Sequence, residues 1–191
     1  MKTICVYCGS SSAVRPAFRG AAREVGRVLA RRGLGLVYGG GSVGLMDEVA
    51  TGALEGGAPV IGVIPEKLLA LELGRADLTE LRVVPDMHAR KKTMADLSDA
   101  FVALPGGYGT LEELFEAVTW TQLNYHRKPV GILNVDGYYD ALITFLERAA
   151  AEGFVRPMHT GLVLVDTDPD RLLDRLAVAV IPTLDQWIDD V

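Results

Sequence analysis

Short, continuous apolar runs alternate along most of the chain with longer segments whose apolar residues recur at helical spacing. The runs at 3–7, 35–38, 59–64, 81–84, 100–104, 129–133 and 162–165 read as strands, and the segments at 16–32, 43–55, 86–98, 110–123, 138–152 and 169–180 read as helices. Uninterrupted β-branched strands separated by amphipathic helices predict a parallel sheet buried on both faces. The expected fold is therefore α/β, a single doubly wound, Rossmann-like parallel sheet flanked by helices. Residues 1–181 are expected to form one nucleotide-binding domain, with 182–191 as a C-terminal tail. The stretch from 65 to 80 lacks strand character and reads as an irregular flap with a short helical turn, and 154–160 reads as a loop.

In such sheets ligands bind beyond the carboxyl ends of the strands. Three glycine- or serine-rich turns fall there: Gly9-Ser10-Ser11-Ser12, Gly39-Gly40-Gly41-Ser42-Val43-Gly44 and Gly106-Gly107-Tyr108-Gly109-Thr110. The third runs from a strand into a helix start, where unpaired N–H groups and the positive end of the helix dipole favour an anion, most often a phosphate. Glu113, three residues further on, is suited to act on another part of a phosphorylated ligand. The second turn satisfies G-x-G-x-x-G, but it follows the second strand, and Pro65-Glu66 is a poor match for the ribose-binding acid of a dinucleotide fold. No turn is followed by the Gly-Lys-Ser or Gly-Lys-Thr of a P-loop.

Helical spacing places Met87, Arg90, Met94 and Leu97 on one side of their helix, so Arg90 shares an apolar stripe and needs an anionic partner, a phosphate or Glu113. In the following helix Leu111, Leu114, Phe115 and Val118 form the expected core stripe. Glu113, Ala117 and Trp120 then face outward, and a large aromatic on that face points to contact with another chain. Glu112, about 100° away from Glu113, cannot form a glycosidase dyad with it.

Composition narrows the choice of chemistry. With 19 Lys and Arg against 25 Asp and Glu, the net charge of -6 lacks the basic stripe of a nucleic-acid binder. No apolar window approaches a membrane span, and the start of the chain does not read as a signal peptide, so a cytoplasmic protein without membrane or nucleic-acid partners is expected. Cys5 and Cys8 form C-x-x-C, yet they lie on a strand instead of at a helix start. The three His residues show no ligand spacing with them, so neither a redox pair nor a metal site is implied.

Pro105-Gly106-Gly107-Tyr108-Gly109-Thr110-Leu111-Glu112-Glu113 and Met87-His88-Ala89-Arg90-Lys91 together resemble the P-G-G-x-G-T-x-x-E and M-H-x-R-K motifs of the Lonely Guy (LOG) family. The Gly39 to Leu45 loop and the Val130 to Tyr139 run are similar as well. The resemblance implies a cytokinin riboside 5'-monophosphate phosphoribohydrolase, from a family often mislabelled as lysine decarboxylases. Such an enzyme hydrolyses the N-glycosidic bond of an adenosine 5'-monophosphate, commonly N6-prenylated, to free base and ribose 5-phosphate. It implies a catalytic pair, Arg90 and Glu113, and substrate contacts at Glu72, Arg90, Lys91, Gly107, Tyr108, Gly109, Thr110, Leu111, Glu112, Glu113 and Thr119. A homodimer acting on a small nucleotide is implied, with no cofactor, and the chain displays neither a Schiff-base lysine nor a dedicated site for pyridoxal phosphate. A non-catalytic nucleotide-binding or sensing module of the same fold is the alternative.

Overall fold

The computed structural model describes residues 1–71 and 74–182. Glu72, and the expected tail beyond Pro182, lie outside the described residues. Seven strands, β1 (Thr3–Tyr7), β2 (Gly35–Tyr38), β3 (Val60–Pro65), β4 (Glu80–Val84), β5 (Ala100–Ala103), β6 (Val130–Leu133) and β7 (Val163–Asp166), make one parallel sheet. Their order is β4-β3-β2-β1-β5-β6-β7. From β1 the chain builds outward to β4, then returns to the other side of β1 with β5, so the carboxyl ends of β1 and β5 flank the topological switch point.

Alternation along the strands divides the core into two layers. Ile4 and Val6 of β1 face one layer, where they meet Val25 and Leu29 of α1 (Pro16–Arg31), Val49 and Ala53 of α2 (Gly44–Glu55) and Leu172 of α7 (Pro169–Ala177). Cys5 and Tyr7 face the other, with Met94 of α4 (Met87–Asp96) and Leu114 of α5 (Tyr108–Gln122). The two-residue period of a strand produces this division. The expected flap contains the four-residue α3 (Glu66–Leu69), and α6 is Asp140–Ala151. Element limits agree with the sequence pattern to within a residue or two, except that α7 ends at Ala177 instead of 180. Among the described residues no helix is long and apolar enough to cross a membrane.

Both expected helix stripes need correction. On α4 the buried residues are Arg90, Lys91, Met94 and Ala95, while Met87 is exposed and Leu97 half-buried. On α5 they are Thr110, Leu114, Ala117 and Thr121, with Leu111, Phe115 and Val118 only half-buried. The helix has rolled roughly a quarter turn from the expected stripe, laying its small side on the sheet. Its start determines this: a Cβ on Gly106 would stand 2.1 Å from the Thr110 hydroxyl, so only glycine there lets Thr110 pack so close to the turn. Trp120 does not point outward but packs edge-on to His126, with ring centroids 6.1 Å apart, against the second core layer.

Candidate active site at the carboxyl edge of the sheet

The three turns meet at this edge through main-chain hydrogen bonds. Gly9 N–H donates to Pro105 O at 3.0 Å, and Leu45 N–H donates to Gly9 O at 2.9 Å, joining the turns after β1, β2 and β5. The flap is tied to the second turn by an isolated bridge between Gly41 and Gly74 and by Arg75 N–H donating to Gly40 O at 3.0 Å. Arg75 also donates from its guanidinium to Asp47, Thr51 and Asp77.

Arg90 is buried, and it is satisfied by main-chain oxygens where a carboxylate or phosphate was expected. Its Nε donates to Val63 O at 3.1 Å and its Nη2 to Gly39 O at 2.8 Å, so the head lies across the ends of β2 and β3. Neutral acceptors orient a guanidinium without cancelling its charge, and Arg90 keeps a positive field at the edge of the sheet. Gly39 makes the position possible, since a Cβ there would come within 1.8 Å of Arg90 Nη2. The Asp86 side chain caps α4 by accepting from Ala89 N–H at 2.8 Å, which sets the helix that carries Arg90.

Glu113 sits half-buried on α5. Burial pushes its carboxyl up to about 7, against the pull of Arg90; Glu112 and Glu116 add to the rise and Lys91 opposes it. A carboxyl poised near neutrality beside a fixed cation can accept or release a proton at working pH. Lys91, also buried, pairs with Glu112 and, at 3.0 Å, with Glu116, bridging α4 to α5. Glu112 is exposed and directed to Lys91, apart from Glu113.

The turn before α5 is open. Gly107 precedes the helix with no side-chain cap, which leaves the first-turn N–H groups without intrahelical acceptors. Gly107, Tyr108 and Gly109 are all exposed, Tyr108 at 94%, and nothing lies within 4 Å of a Cβ placed at Gly107 or Gly109. Thr110 is buried behind them, Leu111 is half-buried, and Thr119 is exposed near the far end of α5.

The structure also brings up residues to which sequence reasoning assigned no role. Tyr138 Oη donates to Gly106 O and Tyr139 Oη to Leu104 O, both at 2.7 Å. The tyrosine pair next to Gly137 was the available signal. Cys5 and Cys8 are buried free thiols whose pKa values burial pushes up, so neither is an activated nucleophile. Two cavities, of about 490 Å³ beside Asn134, Asp136 and Thr167 and about 250 Å³ beside Trp120, Tyr125 and His126, lie away from the Arg90 and Glu113 pair.

The sequence matches a protein-family model described as "Possible lysine decarboxylase" over residues 46–176. It is 51% identical over 175 residues to "Cytokinin riboside 5'-monophosphate phosphoribohydrolase LOG7" of Arabidopsis thaliana, covering 92% of this chain and 81% of that protein. It is 53% identical over 175 residues to "Probable cytokinin riboside 5'-monophosphate phosphoribohydrolase LOGL9" of Oryza sativa subsp. japonica, covering 92% and 77% respectively. Among solved structures, the molybdenum cofactor carrier protein of Chlamydomonas reinhardtii superposes with a TM-score of 0.70 at 26% identity, over 93% of this chain and 99% of that one.

Proposed function

This chain belongs to the Lonely Guy family of phosphoribohydrolases, and from that premise we propose that it hydrolyses the N-glycosidic bond of adenosine 5'-monophosphates, N6-prenylated or plain. The observation that carries the reading is a carboxyl raised to about 7, Glu113, near the main-chain-anchored Arg90 and one helical turn past an open, uncapped helix start.

The 5'-phosphate rests on the N–H groups of the run from Gly107 to Thr110, at the positive end of α5. That handle brings the ribose beside Glu113. As the C1'–N9 bond breaks, positive charge builds on the ribose carbon and negative charge on the base. Ionised Glu113 stabilises the first and takes a proton from the attacking water, whose oxygen bonds to C1'. The base leaves with the bonding electron pair and gains a proton, and ribose 5-phosphate remains. Arg90 orients the nucleotide and balances developing negative charge. The wider contact set of Glu72, Lys91, Leu111, Glu112 and Thr119 belongs to the same proposal. Within it Lys91 and Glu112 also pair with each other, which sets α4 against α5.

The same reading places the protein in the cytoplasm as a homodimer, without cofactor, nucleic acid or membrane. Support for the dimer has moved from Trp120 to the half-buried Phe115 of α5 and the exposed Phe145 of α6.

Product analysis on the purified protein tests the function. With a nucleoside monophosphate, base and ribose 5-phosphate accumulate in equal amounts, and Glu113→Gln lowers the rate by about 10² to 10⁴. Parent-level release by that variant overturns the role of Glu113. Tight nucleotide binding without products from the parent favours the sensing module.

A further inference from the structure

Three consecutive carbonyls in the turn after β5 each accept a hydrogen bond from outside it: Leu104 O from Tyr139 Oη, Pro105 O from Gly9 N–H and Gly106 O from Tyr138 Oη. A trans peptide is planar, with its carbonyl and the following N–H pointing in opposite directions. Each of these bonds therefore fixes where the next residue's N–H points. For Leu104 the next residue is Pro105, which has no N–H. For Pro105 it is Gly106, seated under Thr110. For Gly106 it is Gly107, whose open side is the expected phosphate position.

The peptide between Gly106 and Gly107 joins two glycines, the residues with the widest backbone freedom. Without a restraint it can turn over, aiming a carbonyl oxygen at the phosphate in place of an N–H. Tyr138 supplies the restraint from outside the turn. Its own place is held by edge-on contacts with Phe18 at 5.5 Å and Tyr139 at 4.9 Å, and by the Tyr139 N–H donating to Asn134 Oδ1 at 2.8 Å. Asn134 is in turn anchored by its amide donating to Asp140 Oδ1 at 2.7 Å.

We propose that Tyr138 is a positioning residue which holds the Gly106–Gly107 peptide in its anion-binding orientation, so that this β6–α6 tyrosine sets the preference for a phosphorylated substrate. The inference rests on the phosphate placement proposed above. Tyr138 touches neither the ribose nor the base in this assignment and acts only through the turn.

The test compares AMP with adenosine, by steady-state kinetics and by equilibrium calorimetry, for the parent, Tyr138→Phe and Tyr139→Phe. Losing one aligned donor to a doubly charged phosphate is worth about a tenfold change in affinity. Tyr138→Phe is expected to raise KM and Kd for AMP by about that factor, to weaken inhibition by ribose 5-phosphate equally, and to leave adenosine unaffected. Tyr139 lies 2% exposed, and its carbonyl partner precedes a proline, so Tyr139→Phe is expected to lower Tm while keeping the AMP preference. A Tyr138→Phe protein that retains the full AMP preference, or loses AMP and adenosine binding equally, overturns the inference. A parent that binds AMP no better than adenosine overturns the phosphate placement itself, whereas a parent that binds AMP selectively without turnover leaves the role of Tyr138 readable by calorimetry and removes only the hydrolytic reading.

Discussion

At the scale of single residues, the site is governed by how Glu113 and Arg90 are solvated. Glu113 has lost water and has no ion-pair partner among the described residues, so its folded-state pKa lies above the unfolded one. The sign of the linkage follows. The folded protein holds this proton more tightly than the unfolded chain, and the cost of ionising it in place grows as pH rises from the ordinary glutamate range through about 7. Glu113→Gln is therefore expected to raise stability over the parent by on the order of 2 kcal/mol at about pH 8 and to give no gain near pH 4, measured by denaturant melts at both values. A gain that is the same at both pH values would mean better packing and no relief of a buried charge. Both residues stood out as candidates in the sequence because their motifs are local. The main-chain partners of Arg90 could not stand out in the same way, since Val63 O and Gly39 O belong to elements far away along the chain.

Individual helices show where periodicity stops being informative. The α5 sequence is apolar over more than one stripe, so spacing alone does not say which stripe meets the sheet. The contact of Thr110 with Gly106, and Thr121 Oγ1 donating to Lys128 O at 3.1 Å, place the small-residue side inward. That roll draws Glu113 into a desolvated position and leaves Phe115 half-covered. Between α4 and α5, Lys91 is the only basic partner of Glu112 and Glu116 among the described residues. Replacing it by methionine keeps the length and apolar stem but removes one of the cations that hold Glu113 down, while the two glutamates that push it up remain. Lys91→Met is thus expected to move the acid limb of the kcat/KM profile toward higher pH, with a smaller effect on the plateau. An unmoved limb with a lowered plateau would refute the influence of Lys91 on Glu113 and leave it substrate contact alone.

For the whole molecule, the parallel α/β class was implicit in the strand-helix alternation, but alternation reveals neither the order of the strands nor what a surface meets. The same architecture carries the molybdenum cofactor carrier of Chlamydomonas reinhardtii at 26% identity, so chemistry must be read from the site and not from the sheet. Assembly is the property that one chain's sequence leaves open. On helix α6, Leu142 and Ile143 pack against the second core layer, while Phe145 is 62% exposed. An isologous pairing of two copies would cover such a helix, together with Phe115 of α5, by one two-fold operation. The expected mass in dilute solution is twice the 20.5 kDa of the chain, and Phe145→Glu, which would bring a charge into such a contact, is expected to give monomers. Because α5 carries both Phe115 and Glu113, separation should also lower turnover if the partner completes the site. Monomers with full activity would keep the helix pairing but assign the whole site to one chain, and a parent already monomeric at micromolar concentration would refute the pairing.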